Sequence, residues 1–452
     1  MDQFRWGVAT SAYQIEGARG VDGKGDSIWD RFSDEGRMAT VGDRACDHYH
    51  RLEEDLDLIA SLGVTSYRFS IAWTRVLPDG EGDINRAGID FYRRVVDGLL
   101  ERGIEPWPTL YHWDLPQALQ DDGGWANRAT AEAFAGFAEI MATSLPDVRH
   151  WITQNEPWVS AFLGHLYGVF APGIQDWATA LTASHHLLLS HGLATERIRE
   201  HTTSPKVGIA LDCRPARPMT GSDVAATRHF DGFRNRWFFD PVFGHGYPED
   251  MVQTYSAARR FEGGILKFIE RGDLDRISTS IDFLGLNYYT TVDITAGNEE
   301  RDDPERTPGR QQPEGYTEMG WRIDAGGLRR YLSELNDRYS PMSMVVTENG
   351  ASYSDAPDSN GEIRDLRRIE YLNQHIHALL AAASDGVPID GYFVWSLLDN
   401  IEWTQGFEQR FGLVWVDQEN QRRVPKESYE WLRSVIRPDS PESMALSNAR
   451  GR

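Results

Sequence analysis

Cysteine is scarce in this sequence, and its scarcity excludes several classes of protein. Cys46 and Cys213 are the only thiols among 452 residues, and neither lies in the CxxC or CxxH spacing of a common zinc site. Two thiols cannot make a disulfide framework, and a chain of this length with 40% hydrophobic residues can bury a large core without one. We therefore interpret both cysteines as small buried residues of a globular protein.

Positive charge is also in short supply. The chain carries 46 Lys and Arg against 69 Asp and Glu, which gives a formal net charge of −23. Proteins that bind nucleic acids contact phosphates through clustered cations, and anionic membrane surfaces attract the same clusters. The acidic balance therefore argues against both nucleic acids and membranes as partners.

Long hydrophobic runs are missing as well. No uninterrupted apolar run reaches the roughly 18 residues expected of a membrane-spanning helix. The N-terminal sequence MDQFRWGVATSAYQ has no apolar segment behind a basic start, so it lacks the pattern of a signal peptide. We therefore expect a cytoplasmic protein, whose oligomeric state the sequence does not predict.

One pattern recurs along the chain: a short apolar or aromatic run, a polar residue, and then an amphipathic helical stretch. The eight predicted strands cover residues 6–10, 66–71, 105–111, 150–153, 207–211, 283–288, 344–347 and 389–395. The predicted helices between them include residues 47–62, 89–102, 130–144, 177–201, 327–339 and 365–383. Because strand–helix units favour a parallel sheet and eight of them close a barrel, we predict an α/β fold, a single (β/α)8 TIM barrel with long βα loops.

Two segments fall outside this pattern. Residues 293–320 are rich in Glu, Arg, Pro and Gly, which predicts a long surface loop after the sixth strand. The polar C-terminal residues 438–452 are predicted to form a mobile tail, so the catalytic barrel is expected to cover residues 1–437.

Two sequence segments place a carboxylate at the end of a predicted strand. Glu156 follows the fourth strand in TQNEPW (153–158), and Glu348 follows the seventh in VTENG (346–350). Barrel enzymes keep their catalytic groups at this end of the strands. Two carboxylates across the barrel mouth can flank a glycosidic bond, one attacking the anomeric carbon while the other protonates the leaving oxygen. The alternative is that both only cap helices or form ion pairs.

Polar and aromatic side chains cluster at the other predicted strand ends. Sugars present hydroxyl edges and weakly apolar faces, so a sugar site needs polar groups beside aromatic platforms. The candidates are Gln14, His112, Trp113, Asn155, Asn287, Tyr289, Trp395, Glu402 and Trp403. Structural packing is the alternative for the aromatic residues and for His112. Arg68 lies within an apolar strand and requires a partner, either an anionic nucleophile or a structural ion pair.

Several longer segments resemble glycoside hydrolase family 1, which contains β-glucosidases on an eight-fold β/α barrel. They are FRWGVATSAYQIEG (4–17), YRFSIAWTRVLP (67–78), HWDLPQAL (112–119), TQNEPW (153–158), GLNYY (285–289), VTENG (346–350), WSLLDNIEW (395–403) and GFEQRFGLVWVD (406–417). The resemblance runs from about residue 4 to about residue 436, in family order and without a missing block. A series of this length is far more specific than either glutamate segment alone.

The resemblance implies a catalytic mechanism of two steps with retention of configuration. Glu156 corresponds to the general acid/base and Glu348 to the nucleophile, which Arg68 and Tyr289 are expected to hold ionised and oriented. No metal or organic cofactor is implied. The peptide bond after Trp395 is expected to be cis.

The same resemblance implies the residues that contact the substrate. Those expected around the sugar ring are Gln14, His112, Trp113, Asn155, Asn287, Trp395, Glu402 and Trp403. Trp158 and Trp321 correspond to aromatic residues on the aglycone side. The implied substrate is a β-glucoside or oligosaccharide, with β-galactosides or β-fucosides as side substrates and transglycosylation as a further reaction.

Two alternative functions stay open at this point. A 6-phospho-β-glycosidase of the same family generally has small or cationic residues in place of a Glu-Trp pair, whereas Glu402 would repel a phosphate dianion and Trp403 would occupy its space. A non-catalytic sugar-binding barrel would have lost the catalytic carboxylates, whereas Glu156 and Glu348 are both present.

Overall fold

The eight predicted strands are all present and form one closed parallel barrel. The computed structural model describes residues 4–258, 267–297, 308–309, 311–437 and 439–450, apart from the side chains of 446–450. The barrel strands are β1 (Arg5–Ala9), β2 (Ser66–Ser70), β3 (Glu105–Tyr111), β4 (His150–Asn155), β5 (Lys206–Cys213), β6 (Phe283–Tyr288), β7 (Met344–Asn349) and β8 (Ile389–Trp395). Each strand is parallel to the next in sequence, and β8 returns to β1. The predicted (β/α)8 barrel is therefore confirmed.

Strand β1 closes the barrel by pairing with two neighbours. Arg5 lies beside Gly391 of β8, and Gly7 lies beside Ser66 of β2. Gly7 permits a close approach, because a Cβ at this position would lie 2.3 Å from a ring carbon of Phe393. The buried cluster that includes this ring fills the barrel with Ala9, Trp107, Ile152, Ala210, Phe283, Val345, Phe393, Trp395 and Phe411.

Helices follow the strands and bury their apolar sides. The α-helices of eight or more residues are Leu52–Leu62, Arg86–Glu101, Arg128–Ser144, Trp177–His201, Val224–Asp231, Glu249–Ala257, Ala325–Tyr339, Leu366–Ser384, Glu427–Val435 and Pro441–Arg450. Shorter α-helices cover Ala12–Ile15, Ile28–Asp34, Trp73–Val76, Gln117–Asp121, Trp237–Val242 and Asp273–Ile277. No helix in the described ranges has the length and apolar content needed to cross a membrane.

Side-chain caps fix where several of these helices begin. Asn127 accepts a hydrogen bond from the amide of Ala129 at the start of Arg128–Ser144. Asp176 accepts from the amide of Thr179 at the start of Trp177–His201. Such caps satisfy amides that have no partner within the first helical turn.

Several strands extend beyond their predicted ends. Strands β4 and β7 each continue for two further residues, to Asn155 and Asn349, and β5 continues to Cys213. The extension of β7 includes Glu348, so the backbone of this residue is held in the sheet. The predicted helix 47–62 begins only at Leu52, because the backbone before it turns.

The C-terminal segment differs from the mobile tail expected over residues 438–452. Residues Pro441–Arg450 form a helix, and the Trp6 indole nitrogen on β1 donates to the Ser443 hydroxyl at 3.1 Å. This contact joins residues 437 positions apart, so no local sequence pattern indicates it. Residues 438, 451 and 452 lie outside the described residues.

The predicted loop 293–320 is described only in part. Its first residues belong to the short strand Val292–Ile294, which pairs in parallel with Ala216–Pro218. Residues 298–307 and 310 lie outside the described residues. An isolated antiparallel bridge joins Tyr316 to Arg322, and a separate hairpin near the C-terminus pairs Val414–Val416 with Arg423–Pro425.

Candidate active site

A cavity opens at the carboxyl ends of the barrel strands. Most of the sequence-predicted site residues line it, namely His112, Trp113, Glu156, Asn287, Tyr289, Trp321, Glu348, Trp395, Glu402 and Trp403. Its position is the one that barrel enzymes use for catalysis.

Glu348 presents a carboxylate that two donors hold in place. Arg68 on β2 donates from Nη1 to Oε1 at 2.5 Å, and Tyr289, just after β6, donates its hydroxyl to Oε2 at 2.7 Å. Hydrogen bonds to both oxygens fix the orientation of the carboxylate and favour its anionic form. The sequence left two kinds of partner open for Arg68, an anionic nucleophile or a structural ion pair. In the structure its partner is Glu348, the candidate nucleophile.

Glu156 directly follows β4 and faces the same cavity. Its φ of 48° lies in the left-handed region, where residues with side chains are uncommon and functional sites are enriched. Its amide donates to the carbonyl of Ala210 at 2.8 Å, which holds this conformation against β5. Asn287 on β6 donates from Nδ2 to Glu156 Oε1 at 2.8 Å.

The two carboxyl groups differ in their affinity for a proton. Burial raises the pKa of Glu156 well above its ordinary value, and the negative charges of Asp212 and Glu348 raise it further. Burial also raises the pKa of Glu348, but the Arg68 guanidinium and the other donors to its carboxylate oppose this effect. Glu348 therefore ionises first, and its charge helps to keep Glu156 protonated.

Two asparagines connect the surroundings of these carboxyl groups. Asn155 Oδ1 accepts from Arg68 Nη2 at 2.5 Å and from Asn287 Nδ2 at 3.0 Å. The hydroxyl of Thr347 donates to Asn287 Oδ1 at 2.7 Å, which fixes the orientation of that amide. Asn287 lines the cavity, and Asn155 helps to orient Arg68 through its hydrogen bond; a contact of Asn155 with the sugar stays a prediction.

One wall of the cavity is aromatic. The ring of His112 lies 5.7 Å from that of Trp395 and 6.1 Å from that of Trp403, and it is within 20° of parallel to both, at 18° and 16°. Trp113 packs 4.5 Å from Trp403. The peptide bond between Trp395 and Ser396 is cis, as expected from the sequence. Flat aromatic surfaces of this kind suit the weakly apolar face of a pyranose ring.

His112 and Glu402 supply polar groups beside this wall. Burial, together with the charge of Arg68, lowers the pKa of His112 well below its ordinary value, so the imidazole is neutral at pH 7. Asn155 Nδ2 lies 3.2 Å from His112 Nε2, and no described residue hydrogen-bonds to Nδ1. Burial and the charge of Glu348 raise the pKa of Glu402 to about 8. Both side chains can therefore exchange hydrogen bonds with sugar hydroxyls.

Gln14 is buried beside the cavity but does not line it. Its Nε2 donates to the carbonyl of Ile401 at 2.7 Å and to Asn400 Oδ1 at 3.2 Å, while the Ser11 hydroxyl donates to Oε1 at 2.5 Å. In this structure Gln14 therefore positions the segment that carries Glu402. The direct contact of Gln14 with the sugar stays a prediction.

Trp158, expected among the aglycone-side aromatics, does not line the cavity. Its side chain is fully buried, with ring centroids 5.5 Å from both Phe162 and Phe233. The guanidinium carbon of Arg234 lies 3.7 Å from the centre of its ring. Trp158 is thus a packing residue behind the wall, whereas Trp321 reaches the cavity as expected.

Three charged residues that line the cavity were not among the sequence candidates. They are Asp212 in β5, Arg214 just after it, and Arg234 in the π-helical turn Gly232–Arg236. Asp212 and Arg214 could have been predicted as site residues, because they follow the apolar run of the fifth predicted strand. Nothing local indicated Arg234, which lies 22 residues beyond the aspartate to which it donates a hydrogen bond.

The barrel, its cavity and the paired carboxyl groups together define an enzyme of the glycoside hydrolase class. Comparison with known proteins gives the family. The model described as glycosyl hydrolase family 1 matches residues 1–440, and the chain belongs to this family.

Relatives and solved structures match over nearly the whole chain. Beta-glucosidase A of Thermotoga maritima is 42% identical over 446 residues, covering 97% of this chain and 98% of that protein. A bifunctional beta-D-glucosidase/beta-D-fucosidase of Bifidobacterium breve is 42% identical over 456 residues, covering 96% and 97%. The structure of the Thermotoga maritima beta-glucosidase in complex with deoxynojirimycin aligns with a TM-score of 0.89 at 42% identity, covering 97% and 98%.

Proposed function

We propose that this family 1 enzyme is a retaining β-glucosidase that hydrolyses terminal non-reducing β-D-glucosyl residues. The observation that carries the proposal is the pair Glu156 and Glu348, two buried carboxyl groups in one cavity with different hydrogen-bond partners. The β-glucosidases to which the chain is similar support glucose as the sugar that is released.

In the first proposed step, Glu348 attacks the anomeric carbon while Glu156 gives its proton to the departing oxygen. The bond to the aglycone breaks, and a glycosyl ester forms on Glu348. A retaining enzyme needs its carboxyl groups roughly 5–5.5 Å apart. Asn287 supports a close spacing, because it donates to Glu156 and lies beside Glu348 where β6 pairs with β7.

In the second proposed step, Glu156 acts as a base. Esterification removes the negative charge of Glu348, so one of the causes of the high pKa of Glu156 disappears. The ionised Glu156 takes a proton from water, and the resulting hydroxide attacks the anomeric carbon. The ester bond breaks, Glu348 recovers its carboxylate, and the sugar leaves with its β configuration.

The polar groups on the aromatic wall favour an unphosphorylated sugar. Glu402 can exchange hydrogen bonds with neutral hydroxyls, and it is not a cation that could pair with a 6-phosphate. Trp403 occupies space beside it. A non-catalytic binding barrel is equally disfavoured, since it would not require Arg68 and Tyr289 to hold a nucleophile.

The aglycone side favours flat, partly apolar groups. Trp321 lines this side, with Phe170, Met319 and Phe411 also in the cavity wall. We propose aryl β-glucosides and cellobiose as substrates, with activity on β-fucosides supported by the bifunctional relative. Transfer of the glycosyl group to an alcohol or a second sugar is part of the same proposal.

The proposal is tested by p-nitrophenol release from the β-D-glucoside, the β-D-galactoside and the 6-phospho-β-D-glucoside. We expect the highest kcat/KM for the unphosphorylated glucoside, because the wall around Glu402 suits neutral hydroxyls. Activity on the phosphorylated substrate alone would contradict the proposal, and so would the absence of activity on every one of the three substrates.

The roles of the two glutamates are tested separately. Glu348→Gly is expected to lower kcat by about 10⁴-fold or more, because the covalent step loses its nucleophile. Glu156→Ala with 2,4-dinitrophenyl β-glucoside is expected to regain turnover with azide, which attacks the ester without needing a base. Unchanged turnover in Glu348→Gly would refute the nucleophile assignment.

We further propose a cytoplasmic location and a role in the breakdown of small glucosides, such as those derived from cellulose. The β-glucosidases to which the chain is similar support small glucosides as substrates. Recovery of the activity from the culture medium rather than from lysed cells would contradict this location.

A further inference from the structure

A buried charge pair lies beside Glu156 and is used in neither step of the proposed reaction. Asp212 in β5 is two residues beyond Ala210, whose side chain belongs to the cluster that fills the barrel. Because side chains alternate along a strand, Asp212 points to the same side and lines the cavity. Its neighbour in the sheet is Asn287 of β6, the donor to Glu156.

The partner of Asp212 is Arg234, which an aromatic side chain behind the cavity wall holds in place. Arg234 donates a hydrogen bond from Nη1 to Asp212 Oδ2, and only 3% of Arg234 is exposed. Its guanidinium carbon lies 3.7 Å from the centre of the Trp158 ring, which is fixed in turn by Phe162. Stacking on an aromatic face and pairing with a carboxylate leave the guanidinium little freedom to move.

Ionisable groups from several elements line the cavity together with Glu156. They are His112 after β3, Asp212, Cys213 and Arg214 from β5 and its end, Arg234 from the π-helical turn, Tyr289 after β6, Glu348 from β7, and Glu402 after β8. After burial, the charge of Asp212 has the largest effect in raising the pKa of Glu156, ahead of that of Glu348, while Arg234 opposes it more weakly.

We propose that Asp212 is a positioning residue for the reaction, whose fixed negative charge makes Glu156 a proton donor and later a stronger base. The inference rests on the proposed function, because it assumes that Glu156 is the acid/base. The charge of Glu348 is lost when the glycosyl ester forms, whereas the charge of Asp212 persists. Asp212 therefore assists proton donation in the first step and proton removal from water in the second.

The test is the pH dependence of kcat/KM for p-nitrophenyl β-D-glucoside in the wild type and in Asp212→Asn. The variant loses a negative charge and retains the Arg234 cation, so Glu156 gives up its proton at lower pH. We expect the basic limb of the profile to move down by at least about half a pH unit. With 2,4-dinitrophenyl β-glucoside, whose departure needs little protonation, we expect kcat/KM to change less.

Asp250→Asn is the matched control. Asp250, in the helix Glu249–Ala257, pairs at 2.8 Å with Arg236. Arg236 belongs to the same π-helical turn as Arg234, but neither Asp250 nor Arg236 lines the cavity. The same change of charge there is expected to leave the basic limb in place. An equal shift in both variants would overturn the proposal, because it would show a general effect of charge.

A second variant covers the case in which Asp212→Asn does not fold because it leaves Arg234 buried without its carboxylate. Asp212→Asn/Arg234→Gln removes both charges, and we expect a smaller downward shift of the basic limb. If the wild type hydrolyses β-glucosides and the basic limb does not move in a folded variant, the role of Asp212 is overturned and the proposed function stands. A wild type with no such hydrolysis would overturn the proposed function itself.

Discussion

The two glutamates are the same residue type, and their neighbours make them different. Glu348 receives hydrogen bonds from a guanidinium and a phenol, whereas Glu156 receives one from an amide and faces two further carboxylates. These contacts favour an anion at Glu348 and a protonated group at Glu156. A nucleophile and an acid are therefore available together at the same pH.

Tyr289→Phe tests the contribution of the phenol to this difference. Loss of the donor at 2.7 Å from Glu348 Oε2 raises the pKa of Glu348, so the acidic limb of kcat/KM should move to higher pH. We expect kcat to fall by about 100-fold, as for loss of one preorganised donor. Tyr247→Phe is the control, since this half-buried tyrosine bonds to His185 away from the cavity; an unmoved acidic limb in Tyr289→Phe would contradict the assignment.

Individual site residues could be predicted from their positions at strand ends and from segments that resemble a family. These signals identified both carboxyl groups and most of the residues that line the cavity. The burial of Trp158 could not be predicted from its own segment, because it depends on Phe233, which is distant in sequence. The same signals missed Arg234, whose partner Asp212 lies in another element.

Strands and helices were predictable because their apolar patterns are regular. The bounds of β3, β6, β8 and the helix Trp177–His201 are the predicted ones. The carboxyl ends of β4, β5 and β7 were predicted too short, because polar residues there are held by neighbouring strands rather than by an apolar pattern, whereas β1 and β2 were predicted one residue too long at that end. The C-terminal helix was not predicted, since it docks through contacts with the opposite end of the chain.

Two glycine substitutions test how tightly these elements pack. Gly7→Ala in β1 would place a methyl group 2.3 Å from the Phe393 ring, so we expect the free energy of unfolding to fall by about 1–3 kcal/mol. Gly136→Ala lies on an exposed helix position with nothing within 4 Å, and we expect a gain of up to about 1 kcal/mol. Urea denaturation measures both, and equal effects would contradict the packing described for β1.

The molecule as a whole buries several carboxyl groups that prefer to be protonated. Asp114, after β3, is 2% exposed, and burial raises its pKa to about 7 despite the opposing charge of Lys24. At Asp114 the folded state therefore holds a proton that the unfolded state has lost, between the ordinary carboxyl pKa and about pH 7. This group consequently contributes a loss of stability as the pH rises through that range.

Asp114→Asn should reduce this loss. We expect the variant to become more stable relative to the wild type, with a larger free energy of unfolding, as the pH rises from about 5 to about 8. Chemical denaturation at both pH values measures the change. Asp90→Asn, on an exposed position of Arg86–Glu101, is the control and should show no such trend; equal behaviour of the two variants would contradict the effect assigned to Asp114.

The central claim is that Glu348 forms a covalent bond to the sugar in a cavity where Glu156 supplies the proton. The most direct measurement is mass spectrometry of peptides from enzyme treated with 2,4-dinitrophenyl 2-deoxy-2-fluoro-β-D-glucoside, whose ester hydrolyses slowly. A fluoroglucosyl group on Glu348 is the predicted result. The same group on Glu156 or on any other residue would contradict the claim. So would the absence of an adduct on an enzyme that hydrolyses the unmodified glucoside.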